Sequence, residues 1–204
     1  MYFSKYISLC IDLLFPPSAD ELCVRNLSYS DLMHHMSITD TAYATYLFSY
    51  KNKKVRALLW QLKYKNDTKA AELLGTALRD YLASRYKTPH ILIPLPLSRT
   101  RFLERGYNQV ESIADVAARH IPYISIEKKL LIRSAHTKPQ TKLGRSERLT
   151  NMRGVFTLAD HTQIDNKAFI LLDDVTTTGA SLREARDTLL SAGAASVDCI
   201  AIAH

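Results

Sequence analysis

The sequence of 204 residues lacks several features that mark membrane-spanning, secreted or disordered proteins. It has no uninterrupted apolar run near the roughly 18 residues that a membrane span requires. Its three cysteines, Cys10, Cys23 and Cys199, form no C-x-x-C pair, so a disulfide framework is excluded and a reducing, cytoplasmic location is expected. Only six glycines are present, so most are expected to meet a backbone requirement, with Gly75 a tolerated residue inside a helix.

The excess of positive charge is concentrated in one stretch of an otherwise balanced chain. Residues 128–153 contain eight lysines and arginines and one glutamate, a net charge of +7, while the other residues balance at 19 of each sign. Concentrated positive charge attracts phosphate, either in a nucleic acid or in a small phosphorylated ligand. A solvated loop that only aids solubility would have the same composition, so charge alone leaves all three interpretations open.

Hydrophobic periodicity predicts an α/β fold with a parallel twisted sheet flanked by helices, because unbroken apolar strands alternate with amphipathic helices in the second half of the chain. The predicted helices cover residues 2–15, 54–65, 68–85, 108–120 and 179–191. The predicted strands cover residues 42–49, 90–93, 130–133, 155–158, 168–172 and 197–202. Residues 20–37 are expected to form a polar helix or loop, and a basic loop is expected between Pro94 and Gly106.

The segment AFILLDDVTTTGASL, residues 168–182, carries the strongest chemical signal. A buried strand ends in Asp173 and Asp174 and is followed by a threonine-rich loop that leads into a helix. The backbone N–H groups at such a helix start bind phosphate, and Gly179 lets the backbone approach the anion. Ionised carboxylates accept hydrogen bonds from the hydroxyls of a sugar. A ribose 5-phosphate unit therefore fits both halves of the segment.

The segment ILLDDVTTTGAS resembles the phosphoribosyl pyrophosphate (PRPP) motif of type I phosphoribosyltransferases. Residues 92–114 and 133–156 resemble the ComF/GntX-like branch of that fold, which is linked to DNA uptake in competent bacteria. The likeness extends over about residues 46–203 and includes the sequence KYKND at 63–67. The matching positions are Pro94, Pro96, Arg101, Arg105, Gly106, Tyr107, Asn108, Gln109, Thr137, Gln140, Leu143, Arg148, Asn151 and Gly154.

The resemblance implies a type I phosphoribosyltransferase fold over residues 46–204, a small helical cap over residues 1–45 and a flexible hood formed by the basic stretch. It implies that Asp173, Asp174 and Arg105 act in catalysis. The residues implied to hold the 5-phosphate are Thr176, Thr177, Thr178, Gly179, Ala180 and Ser181. The residues implied to bind pyrophosphate are Leu95, Pro96, Arg101, Lys138 and Arg148. Magnesium is expected to arrive with PRPP rather than through protein side chains.

Zinc is not expected, although many relatives carry a four-cysteine zinc module directly after an LLFP segment. Here the LLFP of residues 13–16 is followed by PSADELC, and Cys23 stands alone. Tetrahedral zinc needs four ligands at short spacing. The available set of Cys10, Cys23, His34 and His35 does not have a recognised spacing.

Two functions remain open from the sequence. The first is a PRPP-binding protein that acts in DNA uptake and natural transformation, with or without Mg²⁺-dependent phosphoribosyl transfer to a nitrogenous acceptor. The second is a non-catalytic competence factor that binds single-stranded DNA or a partner of the competence machinery and keeps the PRPP site as a sensor or relic. In that case Tyr64 or Tyr107 would serve as a stacking platform for bases.

Overall fold

The computed structural model describes residues 16–133, 154–160 and 164–204, and a six-stranded sheet forms its centre. The strands of this sheet are β1 (Met36–Asp40), β2 (Thr45–Phe48), β3 (His90–Pro94), β4 (Ile124–Ile126), β7 (Ala168–Val175) and β8 (Ser196–Ala203). A separate antiparallel pair consists of β5 (Leu131–Arg133) and β6 (Phe156–Leu158). The helices are α1 (Ala19–Asn26), α2 (Tyr29–Met33), α3 (Lys53–Lys65), α4 (Thr68–Arg85), α5 (Arg99–Arg105), α6 (Gln109–Ala117) and α7 (Ala180–Ser191).

The predicted α/β class with a parallel sheet is confirmed. The strand order is β1-β2-β8-β7-β3-β4, and every neighbouring pair is parallel except β1 with β2. The unbroken apolar runs of β7 and β8 lie in the middle of the sheet, where both faces are covered. Since β3 and β7 are adjacent and parallel, their carboxyl ends meet at the same edge of the sheet.

Alternate residues of each central strand enter different hydrophobic cores. On β7, Ile170 and Leu172 pack with helices α3, α4 and α6, whereas Phe169 and Leu171 pack with α7 and the β5–β6 pair. Successive side chains of a strand point to opposite faces, so one apolar run can supply both cores. The sheet is thus fixed from both sides, and its carboxyl edge is held by rigid elements.

The turn between α3 and α4 is fixed by the sequence KYKND. Asn66 ends α3 in the left-handed conformation with φ of 49°. The side chain of Asp67 then accepts a hydrogen bond of 2.9 Å from the backbone N–H of Ala70 and caps α4. Short polar side chains serve both purposes because they tolerate the left-handed region and accept hydrogen bonds from free backbone N–H groups. The last turn of α3, which carries Lys63, is therefore held next to the sheet.

Several elements differ from the sequence prediction. The expected basic loop after β3 contains the helix α5, whose N-cap is Ser98 and whose C-cap is Gly106 with φ of 76°. Strands β1 and β4 were not expected, because a three- to five-residue strand at the edge of a sheet carries little periodicity. The predicted helix over residues 2–15 and residues 134–153 of the predicted hood lie outside the described residues.

Gly75 is not merely a tolerated residue inside α4, as the sequence had suggested. A Cβ atom at this position would lie 2.4 Å from Cβ of Val116 and 2.9 Å from the carbonyl oxygen of Ile113, both on α6. Distances this short do not occur between non-bonded atoms. The glycine lets α4 and α6 approach closely, and this contact positions the start of α6 beneath the carboxyl edge of the sheet.

The N-terminal helices share the core of the larger domain. Val24, Leu27 and Leu32 are buried in the same cluster as the apolar faces of α3 and α4. The predicted division at residue 45 stays a prediction. Among the described residues, no helix has the length and apolar character that crossing a membrane requires.

Candidate functional site

A polar cleft of about 430 Å³ lies at the carboxyl ends of β3 and β7. In open α/β sheets this edge is the usual place for a ligand. The cleft brings together most of the residues predicted from the sequence and adds several others. Its lining comprises Lys63, Leu95, Pro96, Leu97, Arg101, Arg105, Gln109, Arg133, Asp173, Asp174, Val175, Thr176, Thr177, Thr178, Ala180 and Ser181. The predicted residues Lys138 and Arg148 lie outside the described residues.

The loop between β7 and α7 is built to leave the start of α7 accessible. Its N-cap is Gly179, with φ of 68°, which has no side chain to accept hydrogen bonds from the first turn. Thr176 is buried, and its Oγ1 accepts a hydrogen bond of 2.9 Å from the N–H of Gly179, which folds the loop back on itself. Such a helix start, with its positive dipole end, favours an anion. Thr177, Thr178 and Ser181 line the cleft beside it.

Two side chains outside the DDVTTTGAS segment contact backbone carbonyl groups of this loop. The imidazole Nδ1 of His204 lies 2.9 Å from the carbonyl oxygen of Thr176, and its ring stacks on Tyr46 at 4.5 Å between centroids. The Arg183 guanidinium donates a hydrogen bond of 2.7 Å to the carbonyl of Thr178. The loop is thus braced by side chains that lie outside the DDVTTTGAS segment itself.

Asp174 is buried and accepts hydrogen bonds from three protein donors. Its Oδ2 accepts from Nζ of Lys63 at 2.9 Å and from Nε2 of Gln109 at 2.8 Å, and its Oδ1 accepts from the N–H of Val175 at 2.6 Å. The guanidinium of Arg105 in turn donates a hydrogen bond of 2.8 Å to Oε1 of Gln109. These bonds connect α3, α5, α6 and β7 at the floor of the cleft.

Asp173 has a different environment from its neighbour. Its Oδ1 accepts a hydrogen bond of 2.8 Å from the N–H of Asp174. Burial, together with the adjacent Asp174 charge, raises the pKa of Asp173 to about 7. The nearby ammonium of Lys63 opposes this shift. A ligand that brings hydroxyls or positive charge would favour the ionised form of Asp173.

Three arginines supply positive charge to the cleft. Arg101 and Arg105 belong to α5, and Arg133 comes from β5. Burial and the neighbouring Arg101 charge lower the pKa of Arg133, whereas the Asp173 and Glu184 carboxylates oppose this shift. Guanidinium groups bind phosphate oxygens through paired hydrogen bonds. The three guanidinium groups are therefore suited to bind a polyphosphate.

The segment RGYNQ, residues 105–109, connects the elements around the cleft through hydrogen bonds. Tyr107 donates a hydrogen bond of 2.7 Å to the carbonyl of Leu62 and accepts one of 3.0 Å from the N–H of Asn66, which ties the end of α3 in place. Asn108 caps α6 and donates to the carbonyl of Leu95 at 3.1 Å. Tyr107 is therefore a scaffold residue, and its hydroxyl is already used within the protein.

Comparison with known proteins finds relatives that are named as competence proteins. Competence protein F of Haemophilus influenzae is 31% identical over 142 residues, which cover 67% of this chain and 62% of that protein. Competence protein ComFC of Bacillus subtilis is 29% identical over 147 residues, which cover 71% of this chain and 57% of that protein. The chain belongs to the ComF-like family. A scan against models of protein families finds no match.

The ComF-like chain spans about three fifths of the length of the curated relatives that it matches. The DNA utilization protein YhgH of Escherichia coli K12 is a further relative, 28% identical over 69% of this chain and 63% of that protein. Among solved structures, a hypoxanthine phosphoribosyltransferase from Staphylococcus aureus aligns with a TM-score of 0.42 at 14% identity, over 66% of this chain and 63% of that one. A likeness at that level carries no inference about chemistry.

Sequence reasoning missed the parts of the ComF-like cleft that come from distant segments. Lys63 was noted only within KYKND, Gln109 only as a matching position, and Arg133 only as one charge of the basic stretch. The DDVTTTGAS segment gave no sign of them. The family resemblance includes Lys63 and Gln109 but does not say what they contact. Within the described residues, no group of three or more His, Cys, Asp or Glu side chains is arranged to hold a metal ion.

Proposed function

We propose that this chain binds PRPP or another ribose 5-phosphate ligand together with Mg²⁺ and acts in DNA uptake. The observation that carries the proposal is the composition of the cleft. The same cleft offers carboxylates and a helix start that suit the diol and 5-phosphate of a ribose, and three arginines that suit a pyrophosphate. The printed names of the relatives, competence and DNA utilization proteins, support the biological part of the proposal.

Each part of the ligand has a matching part of the cleft. The 5-phosphate is assigned to the N–H groups and hydroxyls of Thr177, Thr178 and Ser181 at the start of α7. The ribose hydroxyls are assigned to the acidic end of β7. The pyrophosphate is assigned to Arg101 and Arg105, which line the cleft from α5. Lys138 and Arg148 of the basic stretch are proposed as further pyrophosphate contacts.

The donor set of the described cleft fits a magnesium ion that is held by the ligand. Magnesium keeps several waters and is commonly bound through phosphate oxygens and one or two carboxylates. It would neutralise charge on the pyrophosphate when this group leaves. The arginines of the cleft would bind the remaining phosphate oxygens and stabilise the departing charge, which is the main electrostatic requirement of phosphoribosyl transfer.

The test is the thermal stability of the purified protein with PRPP and Mg²⁺. At ligand concentrations about 100 times the dissociation constant, we expect the melting temperature to rise by roughly 5–10 °C. The variant Arg101→Ala is expected to lose most of this rise, whereas Arg99→Ala, an exposed residue of the same helix outside the cleft, is expected to keep it. Release of pyrophosphate with a panel of nitrogenous bases would establish transferase activity. An unchanged melting temperature with PRPP and Mg²⁺ would reject the proposed ligand.

An exposed aromatic face on α3 favours the second candidate function, binding of single-stranded DNA. The rings of Trp60 and Tyr64 lie 5.2 Å apart and are 40% and 59% exposed, and the guanidinium of Arg105 lies 5.7 Å from the centre of the Tyr64 ring. A depression of about 370 Å³ beside them also contains Lys53 and Arg56. Aromatic rings among basic side chains are typical of surfaces that stack bases and follow a phosphate backbone.

The single tryptophan of the chain provides a direct measurement of this second function. A poly-thymidine oligonucleotide that stacks on Trp60 is expected to quench its fluorescence, and the apparent affinity should fall steeply with salt. Trp60→Ala or Tyr64→Ala should each weaken binding about tenfold, since stacking contributes about 1–3 kcal/mol per base. Leu190→Ala, an exposed apolar residue on α7, is the matched control. Binding without quenching, or without loss in either variant, would place DNA elsewhere.

A further inference from the structure

The two acids at the end of β7 have unequal hydrogen-bonding capacity left for a ligand. A carboxylate oxygen has two lone pairs. Oδ2 of Asp174 accepts two hydrogen bonds, from Lys63 at 2.9 Å and Gln109 at 2.8 Å, and Oδ1 accepts one from the backbone of Val175. Asp174 is also 5% exposed, so its carboxylate is largely enclosed by the donors that it binds.

Asp173 is the acid that remains available. It is less deeply buried than Asp174 and it lines the cleft, and one of its oxygens accepts a backbone hydrogen bond. Two adjacent carboxylates would repel each other if neither were compensated. The ammonium of Lys63, which is 21% exposed and lies against Asp174, compensates one of them. Asp174 is therefore held by three donors, whereas the Asp173 carboxylate accepts a hydrogen bond from the backbone N–H of Asp174.

We propose that Lys63 is a positioning residue of this site: together with Gln109 it holds Asp174 in place, and the hydroxyl groups of the ligand bind to Asp173. The inference rests on the proposed ribose 5-phosphate ligand and assigns different roles to the two acids. Asp174 organises the floor of the cleft by joining α3 and α6 to β7. Asp173 accepts hydrogen bonds from the ligand hydroxyls and is the acid whose ionisation controls binding.

The charge around Asp173 is set by groups on several elements. Lys63 lowers the pKa of Asp173 and Asp174 raises it, while Asp173 and Arg133 attract each other. Loss of the Lys63 ammonium alone would remove the cation that contacts Asp174, so Asp173 would ionise only at higher pH. Loss of both the Lys63 and the Asp174 charges would remove one effect that lowers the pKa of Asp173 and one that raises it, so the two changes would offset each other. The charged residues that line the cleft around it are Lys63, Arg101, Arg105, Arg133 and Asp174.

A double-variant cycle tests this assignment, with stabilisation by PRPP and Mg²⁺ measured across pH. Lys63→Met should bind about tenfold more weakly near neutral pH and recover at higher pH, because a rise of one unit in the pKa of Asp173 corresponds to a tenfold change. Lys63→Arg should restore the wild-type profile. The double variant Lys63→Met with Asp174→Asn should bind within about threefold of wild type, because it lacks both the ammonium and the carboxylate charge. Lys65→Met, an exposed lysine on the same helix, is the control.

Two results would overturn the inference. If the combined variant binds as weakly as Asp173→Asn, Asp174 itself contacts the ligand. If Lys63→Met weakens binding with an unchanged pH profile, Lys63 has only a structural role.

A wild-type protein that PRPP does not stabilise would instead reject the proposed ligand. In that case the titration of Asp173 by carboxyl carbon NMR still tests the pairing, because Lys63→Met should raise its midpoint and the combined variant should not. An unmoved midpoint in Lys63→Met rejects the pairing.

Discussion

Asp173→Asn should make the ligand-free protein more stable above neutral pH and remove its stabilisation by PRPP and Mg²⁺. The pKa of Asp173 is raised from 3.8 to about 7, so the folded protein keeps this proton to higher pH than the unfolded chain does. The free energy of unfolding of the wild type therefore falls as pH rises from about 4 to about 7 and stays low above that. Asparagine stays neutral, like the protonated acid, and removes this loss.

The expected gain for Asp173→Asn is about 2–4 kcal/mol above pH 7 and close to zero near pH 4. The upper figure corresponds to the full pKa difference, and the lower figure allows for solvent that reaches the partly exposed carboxyl. Urea denaturation at a series of pH values measures the gain. Asp115→Asn, a carboxylate in an exposed ion pair with Lys128, is the control and should change stability little. An equal gain at every pH would show that titration of Asp173 is not the cause.

In the ligand-bound protein the same substitution should have the opposite effect. Asparagine presents N–H groups as well as a carbonyl oxygen, so it accepts fewer hydrogen bonds from the ribose hydroxyls than an ionised carboxylate does. The rise in melting temperature with PRPP and Mg²⁺ should disappear. A variant that is both more stable alone and insensitive to the ligand would show that the buried acid is kept for binding at a cost in stability. A full rise in the variant would remove Asp173 from the proposed site.

Gly75→Ala is expected to destabilise the protein by about 1–3 kcal/mol, although alanine favours a helix by about 1 kcal/mol over glycine. The new Cβ would lie 2.4 Å from Cβ of Val116, so α4 and α6 would have to separate. For a domain of this size the melting temperature should fall by roughly 3–10 °C. Thr76→Ala, at the next position of the same helix, should change stability by about 0.5 kcal/mol or less.

The effect of Gly75→Ala should extend to the cleft. Helix α6 begins with Gln109, which holds Asp174, and its N-cap Asn108 holds the carbonyl of Leu95. A displacement of α6 would disturb both contacts, so weaker stabilisation by PRPP is expected along with the lower melting temperature. The double variant Gly75→Ala with Val116→Gly, which exchanges the small residue between the helices, should recover part of both losses. No recovery would mean that the contact with the Ile113 carbonyl, not with Val116, limits the approach.

The sequence by itself determined the features that depend on a few neighbouring residues. The apolar runs predicted β3, β7 and β8, and periodicity predicted α3 and α4, because a strand or helix that packs on a core needs apolar side chains at its own repeat. The start of α7 was predicted from the acid pair, the threonine loop and Gly179. The residues of this segment themselves supply its local hydrogen bond and its positive φ. The half of the site that we propose binds the 5-phosphate was predictable for this reason.

Tertiary structure decided which groups meet that segment. Lys63 reaches Asp174 only because the turn at Asn66 and the Tyr107 hydroxyl hold the end of α3 against the sheet. The sequence around Gly75 is that of an ordinary helix interior, and only the packing of α6 directly against it explains why a side chain does not fit there. Contacts between distant segments depend on how helices pack, and no short pattern encodes that. The fold therefore gives two adjacent acids unequal surroundings, since Asp174 contacts a lysine and a glutamine from other helices and Asp173 accepts a hydrogen bond from the backbone beside it.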